Sequence, residues 1–259
     1  MEQNKKAVPI YAPRGGETMR VAVLISGSGT NMLAIHDEQR RRERLGESGG
    51  VGRIECVFTN VPGCEGERRA GERGLSTASL SSKRFFEAMG LSPDDEEARD
   101  YYDAAAFALI ESVTEPDLIV LAGYRRRLGR RVLQRYRNRV INLYPGDTLK
   151  PYLVRGVEAS VQALRAGERT IKATVFLARY DERFGPAIVQ SKPIELEGFT
   201  EEDAPAIAEK IRSEGEHMIF PFAVHELIAG GRVAVDGDEG GDEIWIDGAP
   251  MPKGGWQYG

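Results

Sequence analysis

Histidine is scarce in this chain. His36, His217 and His225 are the only three among 259 residues. Any mechanism that needs an imidazole must use one of them. Cysteine is scarcer still: Cys56 and Cys64 stand alone, without C-x-x-C spacing. That favours a cytoplasmic protein without a disulfide framework. The five His and Cys side chains also lack the ligand spacing of a zinc site, so no metal is expected. No apolar run approaches the ~20 residues of a membrane helix. The first twenty residues, MEQNKKAVPIYAPRGGETMR, lack the apolar core of ~7–15 residues that marks a secretory signal. A cytoplasmic protein with no membrane partner is therefore expected. Excess positive charge is missing too: 35 Lys and Arg face 40 Asp and Glu, for a net charge of −5. Nucleic-acid-binding domains are usually strongly basic, so no nucleic-acid partner is expected.

What is present is ordinary globular composition, 41% hydrophobic and 29% charged. At ~100–200 residues per domain the length suits one large domain or two coupled ones. Residues 1–18 carry Pro9, Pro13, Gly15 and Gly16 without periodicity and read as a flexible arm. RVAVLI (Arg20–Ile25) is an apolar run of strand length, followed by SGSGTN (Ser26–Asn31) and a helical pattern over Met32–Leu45. The rhythm continues with strands at Ile54–Thr59, Leu75–Leu80, Leu118–Ala122 and Val140–Leu143. Helices are predicted at Glu65–Arg73, Asp100–Thr114 and Arg130–Arg137. Alternating strands and helices predict an α/β fold, a mostly parallel twisted sheet with helices on both faces. The second half changes to α+β. Val157–Ala166 reads as a helix, Ala173–Ala178 and Ala187–Pro193 as an antiparallel pair, and Glu201–Ala229 as a long helix interrupted at Pro221. Arg232–Val235 and Glu243–Ile246 flank DGDEGGD and predict a terminal β-hairpin.

The glycine turn carries the first chemical signal. Between a strand and a helix, Gly27 and Gly29 let the backbone approach a ligand, while the helix end offers N–H groups and positive potential. Ser28, Thr30 and Asn31 add side-chain donors. Met32 stands where a third glycine of G-x-G-x-x-G would be, and no Lys-Ser/Thr pair makes a Walker loop. A single phosphate monoester fits better than a dinucleotide. The blander alternative is a tight strand-to-helix turn with no ligand.

The order of motifs resembles one family. MRVAVLISGSGTN, VFTN (Val57–Asn60), PDLIVLAGYRRRL (Pro116–Leu128), VINLYP (Val140–Pro145), FGPAIVQ (Phe184–Gln190), GEHMIFP (Gly215–Pro221) and the tail IWIDG…P (Ile244–Pro252) are similar to the phosphoribosylglycinamide formyltransferases of purine synthesis. The resemblance spans roughly residues 19–258. It implies a formyltransferase-like Rossmann-type fold and 10-formyltetrahydrofolate as co-substrate. It also implies a phosphorylated small-molecule acceptor, held by a monomer or homodimer. Residues 19–123 would form the phosphate-binding half, and 124–259 the folate-binding-like half with the active-site loops. Gly27, Ser28, Gly29, Thr30 and Asn31 match the family's phosphate turn, Glu216 a glutamate facing the ribose, and Arg126 and Leu128 the wall of the folate pocket. Arg125 and Arg127 stand where apolar residues are common in the family.

The catalytic stretch departs from the family pattern N-I-H-P-S-L-L-P. Here it reads Asn142-Leu143-Tyr144-Pro145-Gly146-Asp147. Asn142 is kept and Tyr144 replaces the histidine. The later D-G-G-P turn becomes Asp181-Glu182-Arg183-Phe184-Gly185-Pro186. Arg183 replaces the aspartate without a gap, and Phe184 with a gap of one. Asp147, Asp181 and Glu182 are nearby carboxylates in sequence that would substitute as acid or base. Of the histidines, His36 reads as a surface residue, and His217 and His225 as structural. A formyltransferase-like transferase with weak or absent standard activity is expected. The alternative is a degenerate relative that binds a phosphorylated ligand or catalyses another reaction.

Overall fold

The computed structural model describes residues 7–15, 17–47, 50–150, 158–180, 182–236 and 243–259. In chain order the elements are β1 (Ala7–Pro9), β2 (Met19–Ile25), α1 (Thr30–Arg44), β3 (Gly52–Thr59), α2 (Glu65–Glu72), β4 (Thr77–Ser79), α3 (Ser82–Met89), α4 (Glu96–Glu111), β5 (Leu118–Leu121), α5 (Arg130–Arg135) and β6 (Val140–Tyr144). There follow α6 (Glu158–Arg165), β7 (Thr170–Ile171), β8 (Thr174–Leu177), β9 (Ala187–Gln190), β10 (Ile194–Glu195), α7 (Ala204–Ile211), α8 (His217–Pro221), β11 (Val233–Asp236), β12 (Ile244–Ile246), β13 (Ala249–Pro250) and β14 (Trp256–Gln257). The fold is mixed α/β with a large, mostly parallel sheet. Two compact units divide the chain.

The first unit holds residues 15–141 and 178–183. Its strands run in the order β5-β2-β3-β4, all parallel. Every residue of β2 except Arg20 is buried, as is all of β5. A parallel strand is covered on both faces, which is why these segments read as continuous apolar runs rather than alternations. Arg20 escapes at the strand's solvent end and grips Asp117, Nη2 to Oδ1 at 2.9 Å, just ahead of β5. The adjoining core gathers Leu24, Phe58, Phe86, Tyr102, Phe107, Ile110 and Ile119. Each such side chain contributes about 1.5–3 kcal/mol on burial. Tyr101, beside Tyr102, is exposed, because consecutive helical residues face different ways.

The expectation that His36 is a surface residue is corrected: it is only 6% exposed. Met32, Ile35, His36 and Gln39 form the inward stripe of α1, at i, i+3, i+4 and i+7. Burial and the nearby Arg73 hold the imidazole pKa below its ordinary value. Arg40, Arg41 and Arg42 instead pair with acids of the same helix, Arg41 and Arg42 with Glu38 and Arg40 with Glu43. Helix α3 was not predicted. Ser81 caps it, its hydroxyl accepting from Arg84 N, and Gly90 ends it in a left-handed conformation.

The second unit holds the described residues among 7–14, 142–177 and 184–259. Here β8 pairs antiparallel with β9, as expected, and β14 adds to β9 in parallel. Strands β11 and β12 form the expected terminal hairpin, extended by β13. The stretch read as a flexible arm supplies β1, whose Ala7, Val8 and Pro9 pair with Asp236, Val235 and Ala234. Alternation was not legible in so short a segment, and Pro9 argued against a strand. Pro is tolerated because β1 is an edge strand. The long helix does not break at Pro221, which lies inside α8. Wide π turns at Arg212–Glu216 and Phe222–Ala229 flank it. No helix among the described residues is long and apolar enough to cross a membrane.

Candidate functional site

The glycine turn is built by close contact between two helix starts. Gly29 caps α1 at φ 70°, and a Cβ there would lie 2.8 Å from Gly66 Cα. Gly66 opens α2 and donates its N–H to Gly27 O at 2.8 Å. A Cβ on Gly66 would in turn meet Ile25 Cδ1 at 2.6 Å. The two glycines thus allow α2 to brace the turn from behind. No side chain caps α1 and no acid lies in its first turn, so its N-terminal N–H groups and positive potential are directed outward. Ser28 is exposed, Thr30 half-buried and Asn31 buried. Ser26 secures the strand end. Its hydroxyl donates to Asn60 Oδ1 at 2.5 Å and accepts from Arg125 N at 2.9 Å. Asn60 Nδ2 continues the relay to Ser82 Oγ at 3.1 Å.

A Gly29→Val variant is expected to lose this geometry. A β-branched residue at positive φ costs about 1–3 kcal/mol before any clash. The contact with Gly66 adds to that, because backbone cannot yield as a side-chain tip does. Thermal denaturation should show a melting point lowered by several degrees, about 2–4 °C per kcal/mol for a chain of this size. An unchanged melting point would mean that the turn is not braced as described.

Asn142 is the third residue of β6 and is half-buried. Its Oδ1 accepts from Leu143 N at 2.8 Å. That bond fixes the amide orientation and leaves both Nδ2 donors without a hydrogen bond among the described residues. Tyr144, 5% exposed, packs with Ala159 and Phe176. Its ring lies 4.5 Å from that of Phe184, centroid to centroid. Gly146 is required beneath it, since a Cβ there would fall 2.5 Å from Tyr144 Cε1. Asp147 Oδ1 accepts from Leu149 N at 2.9 Å and Gln190 Nε2 at 2.7 Å. Its Oδ2 makes no hydrogen bond among the described residues. A small cavity of about 150 Å³ opens here, lined by Tyr144, Gly146, Asp147, Lys150, Glu168 and Lys172 among others. Glu182 and Arg183 are exposed, and Asp181 lies outside the described residues. So do residues 151–157.

Glu216, 9% exposed, ends the first π turn. Such turns often occur at functional sites because they re-aim one side chain. His217 follows it, and burial with the nearby Arg212 lowers its pKa. His225 is fully buried. The Arg126 guanidinium stacks on Phe86 at 4.6 Å and on Tyr102 at 4.8 Å. Leu128 belongs to the core. No group of three or more His, Cys, Asp or Glu side chains among the described residues is arranged to hold a metal ion.

Sequence reasoning missed Asp103. It sits on the inner face of α4 with Tyr102, Ala106, Phe107 and Ile110, fully buried. An acid inside an apolar helical stripe was the available signal. Its Oδ2 accepts from Gly129 N at 2.5 Å, at the start of α5. Burial pushes the carboxyl up to about 7, against the opposing effects of the Gly129 N–H and Arg126. A pKa raised on folding favours the protonated form. The associated stability is therefore present at acid pH and lost as pH rises from the unfolded value near 4 through 7. Asp103→Asn keeps an acceptor for Gly129 N and removes the ionisation. The variant is expected to exceed the parent's stability at pH 8 by about 1–3 kcal/mol and to match it near pH 4. Urea denaturation at both pH values checks this, and a less stable variant at pH 8 would reverse the sign assigned to burial.

A family described as formyl transferase matches residues 19–224. Phosphoribosylglycinamide formyltransferase of Escherichia coli is 28% identical over 238 residues, covering 92% of this chain and 98% of its own length. The trifunctional purine biosynthetic protein adenosine-3 of Drosophila melanogaster is 32% identical over 212 residues, which cover 82% of this chain but only 14% of that longer protein. Among solved structures, the phosphoribosylglycinamide formyltransferase of Coxiella burnetii superposes with a TM-score of 0.69 at 26% identity, covering 94% of this chain and all of its own.

Proposed function

The chain belongs to the formyl transferase family, and from that premise we propose that it transfers a formyl group from 10-formyltetrahydrofolate to a phosphorylated amine. The observation that carries this reading is the Asn142 amide, whose oxygen is occupied by Leu143 N while both N–H donors stay available. In formyl transfer the amine nitrogen attacks the formyl carbon and an oxyanion develops on the formyl oxygen. The carbon–nitrogen bond to the folate then breaks, and one proton passes from the amine to the departing folate nitrogen. Amide donors held in a fixed orientation stabilise such an oxyanion without reorganising. The Gly27–Asn31 turn holds the phosphate, Glu216 contacts the ribose, and the segment with Arg126 and Leu128 walls the folate. That segment is stiffened by the stacking of Arg126 on two rings.

The proton route is rebuilt in this reading. Tyr144 donates a hydrogen bond, but a phenol with a reference pKa of about 10 is a poor base at neutral pH. A guanidinium such as that of Arg183 is a hydrogen-bond donor with no acceptor and relays nothing. Asp147, with one oxygen uncommitted, and the exposed Glu182 are the acid–base candidates.

The packing of Tyr144 on Phe184 favours a second reading, a relative that keeps phosphate binding and has lost or changed the transfer. One assay separates the two. Purified protein receives 10-formyltetrahydrofolate with glycinamide ribonucleotide, and separately with its dephosphorylated form. A formylated product dependent on protein and on the phosphate supports transfer. Phosphate-ester binding without product supports the second reading, and neither binding nor product overturns both.

A further inference from the structure

The run Arg125-Arg126-Arg127 departs from the apolar character that the family resemblance implies at its first and third positions, and its three guanidinium groups do different things. Arg126 is stacked on Phe86 and Tyr102. Arg127 Nη2 donates to Tyr180 O at 3.3 Å. Arg125 alone turns to the glycine turn: its Nη2 lies 3.8 Å from where a Cβ on Gly27 would be. Among the described residues its guanidinium makes no hydrogen bond or ion pair. In this acidic chain most arginines find a carboxylate, so an unpaired one over an uncapped helix start has a charge available for a ligand. Its base is also fixed. Arg125 N donates to Ser26 Oγ, which the Asn60–Ser82 relay secures. The side chain therefore extends from a held point rather than from a loose loop.

Resting on the phosphate reading of the turn, we propose that Arg125 makes this site specific for a dianionic phosphate monoester, by meeting oxygens that face away from the turn's N–H groups. The helix start supplies donors to one side of the anion. Arg69, the other guanidinium at the turn, is spent on Ser28 O at 3.1 Å and on Glu65 at 2.6 Å. Arg125 is the cation left to balance the second negative charge, and its planar fork matches two phosphate oxygens at once. An apolar residue at this position would leave the second charge to solvent.

Ribose 5-phosphate is the probe, titrated calorimetrically into the full-length protein and into Arg125→Met, Arg125→Lys and Gly29→Val. At about pH 7.5, Arg125→Met is expected to weaken binding ~10–100-fold, the usual range for a lost hydrogen bond to a charged group. Arg125→Lys should fall between, keeping the charge and losing the fork. The phosphate's second pKa of about 6 supplies a readout that a merely structural residue would not move. Lowering the pH to about 5.5 converts most of the probe to its monoanion. That should weaken the parent clearly and Arg125→Met little. Sulfate, a dianion at both pH values, should bind the parent equally at each. If Arg125→Met binds like the parent while Gly29→Val does not bind, the turn stands and the role of Arg125 is overturned. If the parent binds no ribose 5-phosphate, the phosphate reading of the turn falls, and this inference with it.

Discussion

Replacing Asn142 with alanine is expected to lower the turnover of formyl transfer ~10²–10³-fold, the loss that follows removal of one oxyanion donor in other acyl-transfer enzymes. Binding of ribose 5-phosphate, measured beside turnover, separates a loss of chemistry from a loss of the anion site. The effect is large because the donor is preorganised. Its Oδ1 is held by the next backbone N–H, so no rotation is needed as the oxyanion forms. Asn142→Asp is the sharper variant. It keeps the shape and the acceptor for Leu143 N, but turns two donors into an acceptor that repels the developing charge. Its turnover should fall at least as far as that of the alanine variant. Equal rates for parent and Asn142→Asp would remove Asn142 from the chemistry.

Legibility followed physical cause. Strands β2 and β5 could be read because burial on both faces leaves an uninterrupted apolar run. The glycine turn could be read because both of its glycines and its polar side chains are local in sequence. The bracing glycine, Gly66, could not, since what demands it is the approach of α2 to Gly29. Helix α3 was missed although Ser81 and Gly90 bracket it, because eight residues carry too little periodicity to outweigh the surrounding loops. The π turns around Pro221 leave no periodic signature at all. By residue type His36 reads as a surface residue, whereas its spacing from Met32 and Gln39 places it inward. At the candidate centre the sequence registered Tyr144 as a substitution. It held no hint that the ring folds over Gly146 and against Phe184, because both contacts depend on how β6 and the segment before β9 are arranged.

The second large effect is a gain. Restoring the family's histidine and aspartate is expected to raise transfer to glycinamide ribonucleotide ~10²–10⁴-fold above the parent's rate, the usual contribution of a general acid–base group. A carboxylate takes up and releases the proton that the amine must lose, whereas a guanidinium, permanently charged, does neither and repels a protonated amine. Two pairings are needed, because the aspartate position aligns with Arg183 without a gap and with Phe184 with one. Tyr144→His with Arg183→Asp tests the first, and Tyr144→His with Phe184→Asp the second. The ring contact of Tyr144 with Phe184 puts residue 184 directly beside residue 144. The larger gain is therefore expected from the Phe184 pairing, where the new carboxylate stands against the new imidazole. Arg183 is exposed, so an aspartate there stays solvated and interacts weakly with its partner. The Phe184 pairing also removes the Phe184 ring from a small apolar cluster and replaces the Tyr144 phenol with a smaller, polar imidazole. Truncating one fully buried phenylalanine costs about 3–5 kcal/mol, which sets the scale of the destabilisation at the partly buried Phe184. Circular dichroism must accompany the kinetics, so that a silent variant is known to be folded. A folded Phe184 pairing without gain, beside an Arg183 pairing with gain, would select the ungapped alignment. Two folded variants at the parent's rate would mean that the proton route does not run through these positions, and Asp147→Asn with Glu182→Gln would then locate it.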